Sequence, residues 1–420
     1  MRGNIMSREA VFMSAEERLI RYAKIDTQSD PKSTTSPSTM KQFDLAKVLL
    51  EELKGLGIED AVLDEYCYVY GHLPAVNDCS GKTIGFVAHM DTAPDYTGTG
   101  VNPRIIRNYD GKDIELAPGV VTAVESFPQM KQLKGEDLIV TDGSTLLGAD
   151  DKAGIAAIME ALQYWQEHPE EPHCRIAVAF TPDEEIGRGT ANFDVKKFDA
   201  DFAYTADGGP VNTITDETFN AMSAVVTFHG FSVHPGSGKN KLISACNLAV
   251  EYHTLLPAYM RPEHTEGKEG YIHMTGMQGS TNKAVLEYIL RDHDRQKLEA
   301  KAELMRKAAQ WINDRYGEGS CETDIVWTYR NMKEILNDHP EVMGLAEKAL
   351  QEMGIKAVSE GARGGTDGSN LSFMGVPCPN IGTGGGNAHG RYEYCVISQM
   401  EKVSELIRRI AALAAKGEQA

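Results

Sequence analysis

The stretch Thr83-Ile84-Gly85-Phe86-Val87-Ala88-His89-Met90-Asp91 decides how the chain is read. Its apolar run does not alternate with polar residues. A strand of this kind is buried on both faces, as in a parallel sheet covered by helices. The run stops abruptly on a histidine and, two residues later, an aspartate. The same design recurs along the chain. Arg175–Phe180 (RIAVAF) precedes Asp183-Glu184-Glu185, Phe202–Thr205 (FAYT) precedes Asp207, and Pro379–Gly382 (PNIG) opens the glycine-rich run to His389. Between these strands, Ile155, Ile158, Met159, Leu162 and Trp165 recur at helical spacing over Asp150–His168. Helical patterns also cover Ser14–Ile25, Lys41–Leu53, Glu341–Met353 and Gln399–Ala415. The order predicts an α/β domain with a mostly parallel sheet and helices on both faces.

After Asp207-Gly208-Gly209-Pro210 the pattern changes. A strand over Ala221–His229 and a helix over Leu242–Leu256 lead to a charged loop, Glu263–Gly270. Strands over Tyr271–Met277 and Ala284–Arg291, a long helix over Asp294–Tyr316 and a strand over Cys321–Tyr329 follow. This β-α-β-β-α-β order predicts a ferredoxin-like α+β domain, inserted at residues 218–330. The main domain then comprises residues 1–217 and 331–420. The polar cluster Ser29–Thr39 reads as a loop.

A chain of 420 residues has room for two or three domains at about 150 residues each. With 41% apolar and 25% charged residues its composition is that of a globular protein. Its net charge of −19 opposes phosphate backbones and anionic lipid, so neither nucleic acid nor membrane is expected as a partner. No run approaches the ~20 apolar residues of a membrane span, and Met1–Phe12 has no signal-peptide core. Met6 and Met13 are further plausible starts. The seven cysteines, Cys79 among them, are scattered and never spaced as C-x-x-C. Reduced thiols and a cytoplasmic location are therefore expected.

His89, Asp91, Asp150, Glu184, Glu185, Asp207 and His389 all fall just beyond strands or at the start of a helix. Taken singly, each has an ordinary structural explanation: a solvated loop carboxylate, a hydrogen-bonded histidine, a polar helix start. Together, past the carboxyl ends of parallel strands, they would crowd along one rim of the sheet, where ligands bind. Clustered carboxylates repel one another, and divalent cations relieve the repulsion. A mixed imidazole and carboxylate set suits Zn²⁺, with Mn²⁺ or Co²⁺ as alternatives. The glycine runs Thr97–Gly100 and Gly382–Gly386 lack the lysine and strand-helix context of a nucleotide loop. The second reads as the turn that delivers His389.

The strings GFVAHMDTAPD (Gly85–Asp95), LLGADDKAG (Leu146–Gly154), TPDEEIGRG (Thr181–Gly189), ADGG (Ala206–Gly209) and VHPG (Val233–Gly236) resemble the M20 metallopeptidase family. GGTDGSNLSFMGVPCPNIGTGGGNAHG (Gly364–Gly390) is similar to its peptidase T branch, the aminotripeptidases. The match runs from about Glu17 to Ile410. The resemblance implies two metal ions bridged by Asp150, one also held by His89 and Asp207, the other by Glu185 and His389. It implies Asp91 as the carboxylate that orients His89, Glu184 as general base, and a cis Asp150–Asp151 peptide. His234 resembles a histidine that reaches the oxyanion from a lid domain. Arg291 and Arg363, the latter on a main-domain loop, are the candidates for gripping the substrate's terminal carboxylate; the alternative for each is a surface ion pair with Asp292 or Glu360. The implied activity is removal of the N-terminal residue of tripeptides, by a homodimer joined through the lid. Another M20-type amidohydrolase or a non-catalytic peptide-binding protein on the same scaffold are the alternatives. One departure is that Gly386-Asn387-Ala388 precedes His389 and Arg391-Tyr392-Glu393 follows it, where the branch has an aromatic before and Lys-His after.

Overall fold

A computed structural model describes residues 12–76 and 81–417. Cys79, the start at Met6 and the reading of the chain before Phe12 lie outside the described residues. The chain forms two compact units, the smaller being Glu217–Lys333 with Gly361–Gly365.

In the larger unit an eight-stranded sheet carries four parallel strands at its centre. Their order is Arg175–Thr181, Thr83–His89, Phe202–Ala206 and Asn380–Ile381. Antiparallel strands flank them, Val69–Leu73 beside Arg175–Thr181 and Thr213–Glu217 beside Asn380–Ile381. The unbroken apolar runs are explained by burial on both sides. Ile84, Phe86, Ile176, Val178 and Phe180 pack under the helices Ala15–Ala23, Gln42–Gly55, Ala149–Glu167 and Ile397–Ala415. Val87, Ala177, Ala179 and Ala203 point the other way, against Tyr68, Tyr70, Phe193, Phe198 and Leu371. The first helix starts at a capping box, in which Ser14 accepts from the Glu17 N–H and Glu17 accepts from the Ser14 N–H.

A second sheet of the same unit was not legible in the sequence. It orders Gly385–Gly386, Tyr394–Val396, Leu138–Val140 and Arg104–Ile106, all antiparallel. Strands of two or three residues are too short to show a period.

The smaller unit is a four-stranded antiparallel sheet ordered Tyr271–Gly279, Lys283–Asp292, Asn220–His229 and Cys321–Tyr329. Helices Ala245–Leu255 and Arg295–Tyr316 cover one face, burying Val226, Phe228, Leu286, Tyr288 and Leu290 with Leu248, Tyr252, Leu298, Met305 and Ile312. The order and connectivity are ferredoxin-like. Gly361–Gly365 also belongs here, which corrects the placing of Arg363 on the main domain. The segment is held by backbone bonds, Ala362 N–H to the Glu217 carbonyl and Phe219 N–H to the Gly364 carbonyl.

One glycine sets how closely the Asp150 helix meets the strand that ends before Asp207. A Cβ on Gly154 would lie 1.9 Å from the Ala206 carbonyl oxygen, which belongs to backbone and cannot swing away. Gly154→Ala should therefore lower stability by about 1–3 kcal/mol, the usual cost of overpacking, read as a lower urea midpoint. An unchanged midpoint would show that the contact is looser than described.

Candidate metal centre

Four backbone segments leave the sheet at the same end and one helix begins there. His89 closes its strand, and Asp207 follows Ala206 directly. Glu184 and Glu185 occupy a single 3-10 turn, Glu184–Ile186, beyond the strand Arg175–Thr181. His389 lies in the loop between Gly385–Gly386 and Tyr394–Val396, and Asp150 sits at the start of Ala149–Glu167. The peptide Asp150–Asp151 is cis, as the resemblance implies.

Asp150 lies between the two histidines. Its Oδ1 is 3.0 Å from His89 Nε2 and its Oδ2 is 3.4 Å from His389 Nε2. His389 Nε2 is also 2.9 Å from Glu185 Oε2. His89 Nδ1 faces the Asp91 carbonyl at 3.0 Å and the Asp91 carboxylate at 3.4 Å. Both partners there are acceptors, so Nδ1 carries a proton. The Asp91 carboxylate does more than orient this ring. It accepts the N–H groups of Glu184 at 2.9 Å and Glu185 at 3.2 Å, tying the acidic turn to the histidine.

Burial raises the Glu185 and Asp207 carboxyls to about 7, with the nearby Asp150 charge adding to each. Burial also lifts Glu184 and Asp151 well above the carboxylate range, Asp207 reinforcing both. Asp150 goes the other way. Hydrogen bonds from His389 and His89 outweigh its burial and hold it below the usual range. His389 is raised to about 11 by bonds to Asp150 and Glu185.

These acids outnumber the imidazoles, and two buried oxygens, Glu185 Oε1 and Asp151 Oδ1, have no hydrogen-bond partner. Such a donor set suits a cation. Metal–ligand bonds of ~2 Å place neighbouring tetrahedral ligand atoms roughly 3.3 Å apart, close to the separations between Asp150, Glu185 and the two rings. Three sets of donors lie within 4.8 Å of one another among the described residues: His89, Glu184 and Asp207; His89, Asp150 and Glu185; Asp150, Asp151 and Asp207. The residues fit a divalent ion.

Three further acids of this region were given no role in the sequence reading. Asp367 accepts from Thr181 Oγ1 at 2.6 Å, and burial raises it to about 6. Asp183, next to the general-base candidate, accepts from Ser38 N–H, Ser38 Oγ and Gln42 Nε2, so it pins the Ser29–Thr39 loop. Glu393 accepts three amides of the turn entering the Asp150 helix. Only their burial distinguishes them, and burial is not visible in a single acidic letter.

The remaining candidates lie in the smaller unit. His234 is exposed and accepts the Gly236 N–H on Nδ1 at 3.2 Å. Arg291 donates through Nη1 to the Met222 and Leu290 carbonyls and stacks on Tyr329. Arg363 donates to the Gly267 and Glu269 carbonyls and to Thr265, between the rings of Phe219 and Tyr271. Neither pairs with Asp292, which is bound by Lys301 at 2.5 Å.

Residues 141–413 match the model of peptidase family M20/M25/M40. A relative named peptidase T, from Alkaliphilus oremlandii, is 47% identical over 404 residues, spanning 95% of this chain and 99% of its own. The fold matches a solved tripeptidase from Staphylococcus aureus with a TM-score of 0.76 at 21% identity, over 98% of this chain and 100% of that one. It also matches the YXEP protein of Bacillus subtilis, described as a dinuclear metal binding peptidase, with a TM-score of 0.63 at 15% identity, over 96% and 99%. The chain belongs to the M20/M25/M40 peptidase family.

Proposed function

We propose that the chain is a tripeptide aminopeptidase that works with two divalent ions. The observation that carries this reading is Asp150, whose two oxygens face His89 on one side and His389 on the other. Kinship to peptidase T at 47% identity supports the peptide substrate, and the dinuclear Bacillus subtilis neighbour supports the pair of ions. His89 and Asp207 would complete one ion's set and Glu185 and His389 the other's. Mixed nitrogen and oxygen donors favour Zn²⁺, with Mn²⁺ or Co²⁺ as alternatives. Bound ions would supply the Lewis acidity that makes water acidic near neutral pH and polarises the scissile carbonyl.

The protein's own groups do the rest. Asp91 holds the His89 ring by Nδ1, leaving Nε2 directed at Asp150. It also fixes the Glu184 amide, and with it the turn that carries the base. Buried Glu184, its affinity for protons raised, is suited to take a proton from water and return it to the leaving amine. From the smaller unit, His234 is proposed as an oxyanion donor, because its Nε2 makes no hydrogen bond among the described residues. Arg291 is proposed as the contact for the substrate's terminal carboxylate; its hydrogen bonds among the described residues use Nη1 alone. Arg363 spends both Nη atoms on its own unit, so its support for that role is weaker. A homodimer through the smaller unit's sheet, where Val225 and Val326 are exposed, and a cytoplasmic location, in keeping with free cysteines, complete the proposal.

Three measurements test it. Glu184→Gln should lower kcat about 10²–10⁴-fold while metal content and folding stay as in the parent. Retained activity would remove Glu184 as the base. Across di-, tri- and tetrapeptides and acyl-amino acids, tripeptides should give the highest kcat/KM, and a chelator should abolish turnover. Preference for acyl-amino acids would point to a deacylase, and binding without turnover to a peptide-binding protein. Arg291→Ala should raise KM for tripeptides far more than it lowers kcat, and an unchanged KM would exclude the carboxylate contact.

A further inference from the structure

Asp150 sits in a turn ahead of the regular helix: its ψ of 102° and the φ of −121° at Asp151 are not helical. The turn opens at Gly148, left-handed at φ 76° and without a side chain to bond the turn's amides. The acceptor comes from 243 residues away. Glu393 Oε2 accepts from Leu147 N–H at 2.8 Å and Gly148 N–H at 2.7 Å, and Oε1 accepts from Asp150 N–H at 2.9 Å. Glu393 is only 2% exposed.

Glu393 also closes the loop that carries His389. Gly386 pairs with Tyr394 at the base of that loop, and Tyr394–Val396 pairs with Leu138–Val140, the strand that leads toward the Asp150 turn. Within the loop, Asn387 and His389 both hold positive φ, 54° and 66°. A non-glycine backbone in that region persists only where its surroundings fix it. Asn387 is tied by its Nδ2 to the Tyr392 carbonyl at 3.2 Å and accepts from Gln129 at 2.8 Å.

A carboxylate is an expensive acceptor for these amides. Burying it costs free energy unless its oxygens are bonded, and it adds charge beside an acidic cluster. Position 148 cannot supply the acceptor itself, because at φ 76° a side chain is strained and its Cβ would lie 3.0 Å from Thr92 Cγ2. What Glu393 does in addition is join two chain segments that each deliver one imidazole or carboxylate to the same place. We propose that Glu393 is a positioning residue that locks the Asp150 turn to the His389 loop and so sets the spacing of the two groups for the ion between them. This rests on the two-ion reading above.

The test is titration of the metal-stripped, full-length protein with Co²⁺ alone, followed by the visible absorbance of the bound ion. The parent should take up two ions. Glu393→Gln, whose amide nitrogen cannot accept an N–H, should bind at least one of them about 10–100-fold more weakly, the usual effect of losing an outer partner of a ligand. Its kcat should fall at limiting Co²⁺ and recover as Co²⁺ is raised, with KM for a tripeptide unchanged. Ser14→Ala, which removes an ordinary cap, should lower Tm without moving Co²⁺ affinity. A folded Glu393→Gln protein that binds both ions as the parent does would overturn the proposal, whatever its Tm. If Glu393→Gln does not fold, Glu393→Asp, which keeps the charge but shortens the reach, is judged by the same affinity criterion. A parent that takes up no Co²⁺ would instead overturn the two-ion reading itself.

Discussion

Carboxylates forced together in a poorly hydrated place repel one another, and this repulsion organises the larger unit. Asp150, Asp151, Glu184, Glu185 and Asp207 meet at one end of a parallel sheet because each follows a strand or starts a helix there. Parallel strands make such convergence easy, since all of their carboxyl ends lie on the same side. Two imidazoles relieve part of the charge, and they do so unevenly. Asp150, between the rings, stays ionised, whereas Glu185 and Asp207 are pushed up to about 7. Added positive charge eases so costly an arrangement, and the ions proposed above would supply it.

The sequence showed the parts of this arrangement whose physics is local. The run Ile84–Ala88 could be recognised as a doubly buried strand because it never alternates, and His89 stood out because it ends that run. The ferredoxin-like unit was legible because its strands and helices are long enough to show a period, with boundaries within a few residues of those observed. Leu138–Val140 and Tyr394–Val396 were not, because three residues carry no period and their pairing depends on segments far apart in the chain. The same reason hid Asp183, Asp367 and Glu393. Each looks like an ordinary acidic loop residue until its amide and hydroxyl partners are known.

Arg363 shows how a sequence reading and a structure can differ over the placing of one residue. A guanidinium on a glycine-rich loop matches a carboxylate in principle. In the folded chain it is occupied by the Gly267 and Glu269 carbonyls and by Thr265, and it stacks between Phe219 and Tyr271. Those contacts hold Gly361–Gly365 to the smaller unit. A charged residue that makes many intramolecular bonds has fewer left for a ligand, and Arg291, with only Nη1 hydrogen-bonded among the described residues, keeps more donors free for the proposed contact.

The supporting contacts around the cluster share one form. Asp91 accepts the Glu184 and Glu185 amides, Asp183 accepts Ser38 and Gln42, and Glu393 accepts the Leu147, Gly148 and Asp150 amides. In each case a buried carboxylate is spent on fixing a turn next to a group that faces the centre. Backbone amides cannot titrate, so these bonds do not add ionisable donors to a site already crowded with them. They also hold main chain, which leaves the neighbouring ligand side chains only their own rotamers to settle. A lysine in place of the amides would neutralise charge as well, but a mobile cation beside Asp150 would compete with a metal for the same oxygens. Fixed N–H donors stabilise the surrounding acids without entering that competition, and this is why the acidic shell can be thick while its centre stays available for ions.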